Sequence, residues 1–211
     1  MIKRIIFDLD NTLIPWKEEY WDSLKGAFKR INYSFNDEMI NKLSQAVGEY
    51  EKYYPIYKKE DLLAFMEKYA NIDLPDIFLD YWLEELGYCA KTSQEIIDTL
   101  EYLYQKYDLV VLTNWFTSSQ TERLITANIL KYFSKVYGAD EFLIKPYPES
   151  YLMAANGYQL SECLMIGDNL NNDVKGALQL GMKAIYFDLE NKYHGNEYQT
   201  IKKFSDLKKI L

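Results

Sequence analysis

Histidine and cysteine are scarce in this chain of 211 residues, which contains one His and two Cys. The two cysteines, Cys89 and Cys163, lack the spacing of metal ligands, and with His194 alone neither a Cys/His zinc site nor a Ser–His relay can be assembled. A disulfide-rich scaffold is excluded as well, and a chain of this length can form a core without one. Any catalysis must therefore use carboxylates, lysine or a bound metal ion.

Basic residues are also in deficit, because 24 Lys and Arg stand against 32 Asp and Glu, a formal net charge of −8. Proteins that bind nucleic-acid phosphates need clustered Lys and Arg, which this sequence lacks, so we expect no nucleic acid duplex as a partner. No apolar run approaches the length of a membrane span, and Asp8 and Asp10 interrupt the first one before a signal-peptide core could form. We expect a cytoplasmic protein with no membrane partner.

Short apolar runs without alternation predict buried strands. They lie at residues 5–7, 109–112, 163–166 and 184–187, with a shorter run at 136–137. Continuous runs of this kind are typical of strands covered on both faces, as in a parallel sheet. Polar residues follow each of the four longer runs, and in open α/β sheets ligands bind at that edge.

Helical patterns alternate with these runs. We predict helices at 92–107, at 119–130, after Pro148, and at 172–181. The first would begin with a capping box of Thr92 and Glu95, and the last would end at Gly181. This order of strands and helices predicts an α/β fold, a Rossmann-like parallel sheet with flanking helices.

Residues 14–90 show a different pattern, with helical periodicity throughout. Four amphipathic stripes recur, formed by Trp21, Leu24, Phe28 and Ile31, by Ile40, Leu43, Val47 and Tyr50, by Leu62, Met66 and Tyr69, and by Ile77, Tyr81 and Leu86. They predict an all-helical cap at 14–90, inserted into an α/β core formed by 1–13 and 91–211. Such stripes serve a core or a partner surface equally, so the oligomeric state stays open.

Asp8 and Asp10 follow the first predicted strand two residues apart, so alternation turns both carboxylates to the same side. Two carboxylates repel each other by roughly 4 kcal/mol at ~4 Å if the effective dielectric constant is near 20. Protonation of one of them, or a cation between them, relieves that repulsion. A lone Asp-x-Asp is more often a solvated strand end followed by a turn, here at Asn11. The residues at the other strand ends are therefore needed to tell a functional pair of carboxylates from a turn.

Those strand ends carry a specific set of residues in a specific order. It comprises Asp-Leu-Asp-Asn-Thr-Leu at 8–13, Thr113-Asn114, Lys145-Pro146, and Gly167-Asp168-Asn169 with Asp173 five residues after Asp168. The set resembles the four motifs of the haloacid dehalogenase superfamily, whose members are mostly Mg²⁺-dependent phosphohydrolases. The resemblance covers residues 2–188, and the predicted cap falls where that family places its helical cap.

The resemblance implies the catalytic residues. Asp8 would attack phosphorus and form an aspartyl-phosphate. Asp10 would protonate the leaving oxygen and then activate water. Lys145 would neutralise charge on Asp8 and on the phosphoryl group. In the dehalogenase branch the position of Asp10 is not an acid, because halide leaves without a proton, so Asp10 favours phosphate chemistry.

The resemblance also implies the binding residues. The Thr113 hydroxyl, the Asn114 backbone amide and Lys145 would hold phosphoryl oxygens. Mg²⁺ would be held by Asp8, by the backbone carbonyl of Asp10 and by Asp168. Asp173 would be a further ligand, directly or through water, or would position Lys145.

The predicted function is hydrolysis of a small phosphate monoester, with a small phosphorylated metabolite as the partner. One alternative is a phosphomutase, which passes the phosphoryl group from Asp8 to a sugar hydroxyl. Another is a non-catalytic metal- or phosphate-binding regulatory module, which the intact Asp8, Asp10 and Lys145 disfavour. The cap would set specificity, and the roles of Trp16, Lys17, Tyr20 and Trp115 near the predicted site stay open.

Overall fold

The structure is a computed structural model that describes residues 1–16 and 20–211 in full, so the Lys17 side chain lies outside the described residues. The strands form one parallel sheet in the order β3-β2-β1-β4-β5-β6. Their bounds are Arg4–Phe7 (β1), Asp108–Leu112 (β2), Lys135–Tyr137 (β3), Cys163–Gly167 (β4), Lys183–Phe187 (β5) and Thr200–Ile201 (β6). The predicted parallel sheet is confirmed, and the two-residue β6 is the strand that sequence reasoning missed.

The sheet is buried on both faces, as continuous apolar strands require. In β1, Ile5 and Phe7 pack into one apolar cluster, whereas Ile6 packs into the cluster on the opposite face. Helices cover both sides: α5 (Gln94–Tyr104), α6 (Thr117–Thr126), α7 (Pro148–Ala154), α8 (Gly176–Gln179) and α9 (Leu207–Ile210). No helix among the described residues is long and apolar enough to cross a membrane.

The helix α5 has a different N-terminal cap from the predicted one. Ser93, not Thr92, caps α5 by accepting a hydrogen bond from the Ile96 amide, and Glu95 instead accepts hydrogen bonds from the Ser205 amide and hydroxyl. The Thr92 hydroxyl donates to the Leu13 carbonyl. The capping-box prediction was therefore wrong, because Thr92 and Glu95 both form hydrogen bonds with residues remote in sequence, Leu13 and Ser205.

The segment predicted as a helix at 172–181 is helical from Leu170, as a π-helical turn, Leu170–Lys175, followed by the short α8. Gly181 ends it as predicted, with φ +79, and its amide and that of Met182 bond back to Leu178 and Ala177. The helix predicted at 119–130 lies earlier, at α6, because Asn128 takes a left-handed conformation and stops it.

Four helices lie between β1 and α5: α1 (Lys17–Arg30), α2 (Asp37–Tyr53), α3 (Lys59–Ala70) and α4 (Phe78–Tyr88). They pack around their own apolar cluster, which includes Leu24, Leu43, Met66 and Trp82. The predicted helical insert is therefore present. Its exact division from the core at 13/14 and 90/91 stays a prediction, and Ile14 and Ala90 pack with the sheet's cluster.

Three stripes of the insert each contain one predicted inward residue that is exposed. Trp21, Tyr69 and Ile77 are 47%, 42% and 43% exposed, whereas their neighbours Tyr20, Ala70 and Phe78 are buried. Apolar residues occupy adjacent stripes at these positions, so periodicity does not decide which one faces inward. The burial of Tyr20 matters for function, because it brings this residue to the edge of the sheet.

Candidate active site

Asp8 lies at the carboxyl end of β1, in the middle of the sheet. Its amide donates to the Ile166 carbonyl of β4 at 2.9 Å, and its side chain is buried. One carboxylate oxygen accepts a hydrogen bond from Lys145 Nζ at 2.6 Å, and the other accepts from the Thr12 hydroxyl at 3.1 Å. Burial raises the pKa of Asp8 well above its usual range, and the charge of Lys145 opposes that shift only in part.

Lys145 reaches this site from the loop before α7. Its buried Nζ donates to Asp8 at 2.6 Å and to Asp173 at 2.7 Å. The Asn114 side chain holds the backbone of that loop, accepting from the Lys145 amide at 2.8 Å and donating to its carbonyl at 2.9 Å. Burial alone would lower the pKa of Lys145, but Asp173 and Asp8 outweigh it and raise the pKa, so the lysine is a cation.

Three carboxylates meet beside the lysine. Asp8, Asp168 and Asp173 each offer an oxygen, and these oxygens lie within 4.8 Å of one another. Burial, reinforced by the charge of Asp173, raises the pKa of Asp168 to about 7. Buried carboxylate oxygens are the donors that a hard cation such as Mg²⁺ prefers, so the residues fit that ion. The Asp10 side chain lies outside this group, and the predicted role of its carbonyl stays a prediction.

Asp173 also has a positioning contact, because one oxygen accepts from Lys145 and the other from the Asn169 amide at 2.9 Å. The wide turn Leu170–Lys175 holds Asp173 in this place. Single turns of π-helix are frequent at functional sites. The geometry agrees with both of the roles foreseen for Asp173.

The Asp10 carboxylate turns toward two residues of α6 that sequence reasoning missed. Gln120 Nε2 donates to one oxygen at 2.7 Å, and Arg123 forms an ion pair with the other. Both partners are fully buried. Gln120 Nε2 also donates at 2.7 Å to the hydroxyl of Thr113, which is buried behind the cavity wall. The signal in the sequence was a pair of polar side chains on the same face of α6 as buried Leu124.

Glu51, on α2 of the insert, is the third residue that was missed. Its Oε1 accepts from Asn114 Nδ2 at 2.7 Å and from Asn172 Nδ2 at 3.5 Å. Glu51 thereby contacts the loop after β2 and the turn after β4. Ser44, Gly48 and Glu51 recur at positions i, i+4 and i+7 of α2, and that polar stripe was its only signal.

A cavity of about 310 Å³ lies between α2 and the carboxyl edge of the sheet. Asp8, Asp10, Lys145 and Asp168 line its floor, and Glu51 lies on the opposite wall. Aromatic residues complete the wall, with ring centroids 5.1 Å apart for Trp16 and Tyr20 and 5.6 Å apart for Trp16 and Trp115. Of the seven proposed site residues, only Thr113 does not line this cavity.

The sequence model of the haloacid dehalogenase-like hydrolases matches residues 2–181, which include every residue of this site. The chain belongs to that family. The expectation drawn from the motifs is therefore confirmed at the level of the family, and with it the classification of the protein as a hydrolase.

This haloacid dehalogenase-like hydrolase is 28% identical to a glyceraldehyde 3-phosphate phosphatase of Methanocaldococcus jannaschii, over 100% of this chain and 99% of that protein. It is also 28% identical to a 5-amino-6-(5-phospho-D-ribitylamino)uracil phosphatase of Escherichia coli, over 90% of this chain and 85% of that one. A Bacillus subtilis hydrolase of the same family, solved bound to magnesium, has the same fold, with a TM-score of 0.80 at 18% identity over 100% and 98% of the two chains.

Proposed function

We propose that this hydrolase is a Mg²⁺-dependent phosphatase that hydrolyses a small phosphate monoester through an aspartyl-phosphate on Asp8. The observation that carries the proposal is the Asp8 carboxylate on the floor of a small covered cavity, 2.6 Å from Lys145 Nζ and beside Asp168 and Asp173. The activities named for the relatives from Methanocaldococcus jannaschii and Escherichia coli support it. A cytoplasmic location stays a prediction.

Charge neutralisation is the main chemical requirement of this reaction, because an anionic nucleophile must approach an anionic phosphoryl group. Lys145 supplies one fixed positive charge next to Asp8. Asp8, Asp168 and Asp173, with the Asp10 carbonyl, would hold Mg²⁺, which supplies further positive charge when bound. The Thr12 hydroxyl holds one Asp8 oxygen in place.

Asp10 is the proposed proton donor to the leaving oxygen and the base that then activates water. It lines the cavity, and Gln120 and Arg123 hold its carboxylate from the side of α6. We propose that these two residues position Asp10, and that the Asn114 side chain positions Lys145. Thr113 and the Asn114 amide keep their proposed roles in binding phosphoryl oxygens.

The proposal is tested by release of inorganic phosphate from a panel of phosphorylated metabolites, with Mg²⁺ and with excess EDTA. We expect Mg²⁺-dependent release that EDTA abolishes. Activity that persists in EDTA, or no release from any ester, would contradict the proposal. A strict requirement for a sugar bisphosphate activator would instead identify the phosphomutase, which uses the same aspartyl-phosphate.

Replacing Gln120 by Met is expected to impair leaving groups that need a proton. The variant loses the Nε2 contact with Asp10, so hydrolysis of an alkyl phosphate should fall about tenfold more than hydrolysis of p-nitrophenyl phosphate, whose leaving group needs little acid assistance. Gln94→Met, at an exposed position paired with Asp98, is the matched control. An equal loss with both substrates would show a merely structural role for Gln120.

Mg²⁺ is expected to raise the melting temperature more at about pH 8 than at about pH 6. Burial raises the pKa of Asp168 to about 7, so protons occupy the site below that pH and compete with the ion. Above about pH 7 Asp168 is ionised in the folded state and repels the neighbouring carboxylates, which lowers the stability of the metal-free protein. Bound Mg²⁺ relieves this repulsion, so it increases the stability more at about pH 8 than at about pH 6. Thermal denaturation with and without Mg²⁺ measures this difference. An equal shift at both pH values, or an undiminished shift in Asp168→Asn, would contradict it.

A further inference from the structure

The cavity wall opposite Asp8 contains two buried hydrogen-bond donors that the protein does not use. Tyr20 and Trp115 are among the residues that line the cavity, and both are 3% exposed. Their buried polar atoms, Tyr20 Oη and Trp115 Nε1, have no hydrogen-bond partner among the described residues. The Ser44 side chain lies near Tyr20 without hydrogen-bonding geometry. Buried polar groups are nearly always paired in native proteins, so these two atoms indicate a ligand that accepts hydrogen bonds.

The same wall contains a fixed acceptor. Asn114 holds Glu51 Oε1 at 2.7 Å, and Glu51 Oε2 receives no hydrogen bond from the described residues. Among the described residues that line the cavity, the only cation is Lys145, and two of the three N–H groups of its Nζ pair with Asp8 and Asp173. A second anionic group on a substrate would therefore lie near the Glu51 carboxylate without a counter-charge.

The wall also leaves room for a ligand. Gly48 lies on α2 between Ser44 and Glu51, and a Cβ atom at this position would meet nothing within 4 Å. Glycine weakens a helix interior, and here it keeps open space on the stripe that faces the cavity. The cavity volume of about 310 Å³ suits a leaving group of a few carbon atoms.

We propose, given the phosphatase function above, that Tyr20, Trp115 and Glu51 form the leaving-group subsite and select phosphate esters of small, uncharged polyhydroxy compounds. A hydroxyl group both donates and accepts, so it can pair with Glu51 and with the two unused donors at once. A carboxylate only accepts and is repelled by Glu51. An ammonium group only donates, so it leaves the Trp115 Nε1 donor unpaired.

Three esters of similar size distinguish these leaving groups. They are glycerol 3-phosphate, 3-phosphoglycerate, which has a carboxylate in place of one CH₂OH group, and phosphoethanolamine. With Mg²⁺ we expect kcat/KM for glycerol 3-phosphate to exceed both others by at least about tenfold, the size of a 1.4 kcal/mol preference. Equal or faster hydrolysis of 3-phosphoglycerate or of phosphoethanolamine would overturn the proposal.

Variants test the individual groups. Glu51→Gln should reduce the preference for glycerol 3-phosphate over 3-phosphoglycerate at least about fivefold, because it removes the repelling charge. Glu49→Gln makes the same change on the same helix, where Glu49 pairs with Lys52 outside the cavity, and should leave that ratio unchanged. An unchanged ratio in Glu51→Gln would overturn the role of Glu51.

Tyr20→Phe removes the unpaired hydroxyl and keeps the aromatic ring. It should raise KM for glycerol 3-phosphate several-fold while the melting temperature of the free protein stays equal or rises, since no hydrogen bond is lost. An unchanged KM would overturn the role of Tyr20. The two proposals fail differently: no release even from p-nitrophenyl phosphate overturns the phosphatase and the subsite together, whereas release without the expected ranking overturns the subsite alone.

Discussion

Asp8→Asn is expected to lower phosphate release by at least about 10⁴-fold, in line with the loss of a nucleophile in other enzymes. Asparagine has nearly the shape of aspartate but cannot form the aspartyl-phosphate. Burial raises the pKa of Asp8, which means that the ionised carboxylate destabilises the folded protein relative to the neutral form. The neutral Asn variant should therefore fold with a melting temperature equal to or above that of the wild-type protein. Steady-state phosphate release with Mg²⁺ and thermal denaturation measure the two effects.

Asp188→Asn is the matched control for this change. Asp188 follows β5, is buried, and accepts hydrogen bonds from the Lys192 and Tyr193 amides outside the cavity under α2. We expect it to keep phosphate release within a few-fold of wild type. A folded Asp8→Asn variant as active as the wild-type protein would refute the proposed nucleophile and the function that depends on it.

Lys145→Met is expected to reduce kcat by about 10²–10³-fold, the typical loss when one preorganised charge or donor is removed from an active site. The change also leaves Asp8 and Asp173 buried without their shared cation. Breaking a buried ion pair costs about 3–5 kcal/mol, so the metal-free variant should unfold at a lower denaturant concentration than wild type. Mg²⁺ should restore more stability to this variant than to the wild-type protein, because it replaces the missing charge.

Lys175→Met provides the comparison. Lys175 is an exposed lysine of the turn Leu170–Lys175 whose Nζ bonds to the Asn171 side chain. It should change neither kcat nor the Mg²⁺ effect measurably. If Lys145→Met keeps the wild-type kcat, the proposal that Lys145 neutralises charge in the reaction is wrong, whatever the stability of the variant.

The sheet and the floor of the site could be predicted from the sequence because both depend on local sequence patterns. Strands buried on both faces require continuous apolar runs, and parallel strands bring their carboxyl ends to one edge. Asp8 after β1 and Asp168 after β4 therefore had to lie close together. The structure places them beside Lys145 and Asp173, as the motif order led us to expect.

The residues that were missed act across long sequence separations. Gln120 and Arg123 contact Asp10 across 110 and 113 residues, and Glu51 contacts Asn114 across 63. Nothing in the local sequence around Glu51 distinguishes it from a solvated helix position. Its role depends on how α2 packs over the sheet, which hydrophobic periodicity does not specify.

The order of strands, helices and charged motifs in this sequence was enough to establish the fold class and the family. Which side chains share the cavity depended on packing between distant elements. Periodicity placed Trp21 inward, yet Tyr20 is the buried neighbour, because both choices satisfy an amphipathic helix and only one fits against Trp82 and Trp16. The chemistry at Asp8 thus follows from local sequence, whereas the proposed preference for a leaving group follows from contacts that only the folded chain creates.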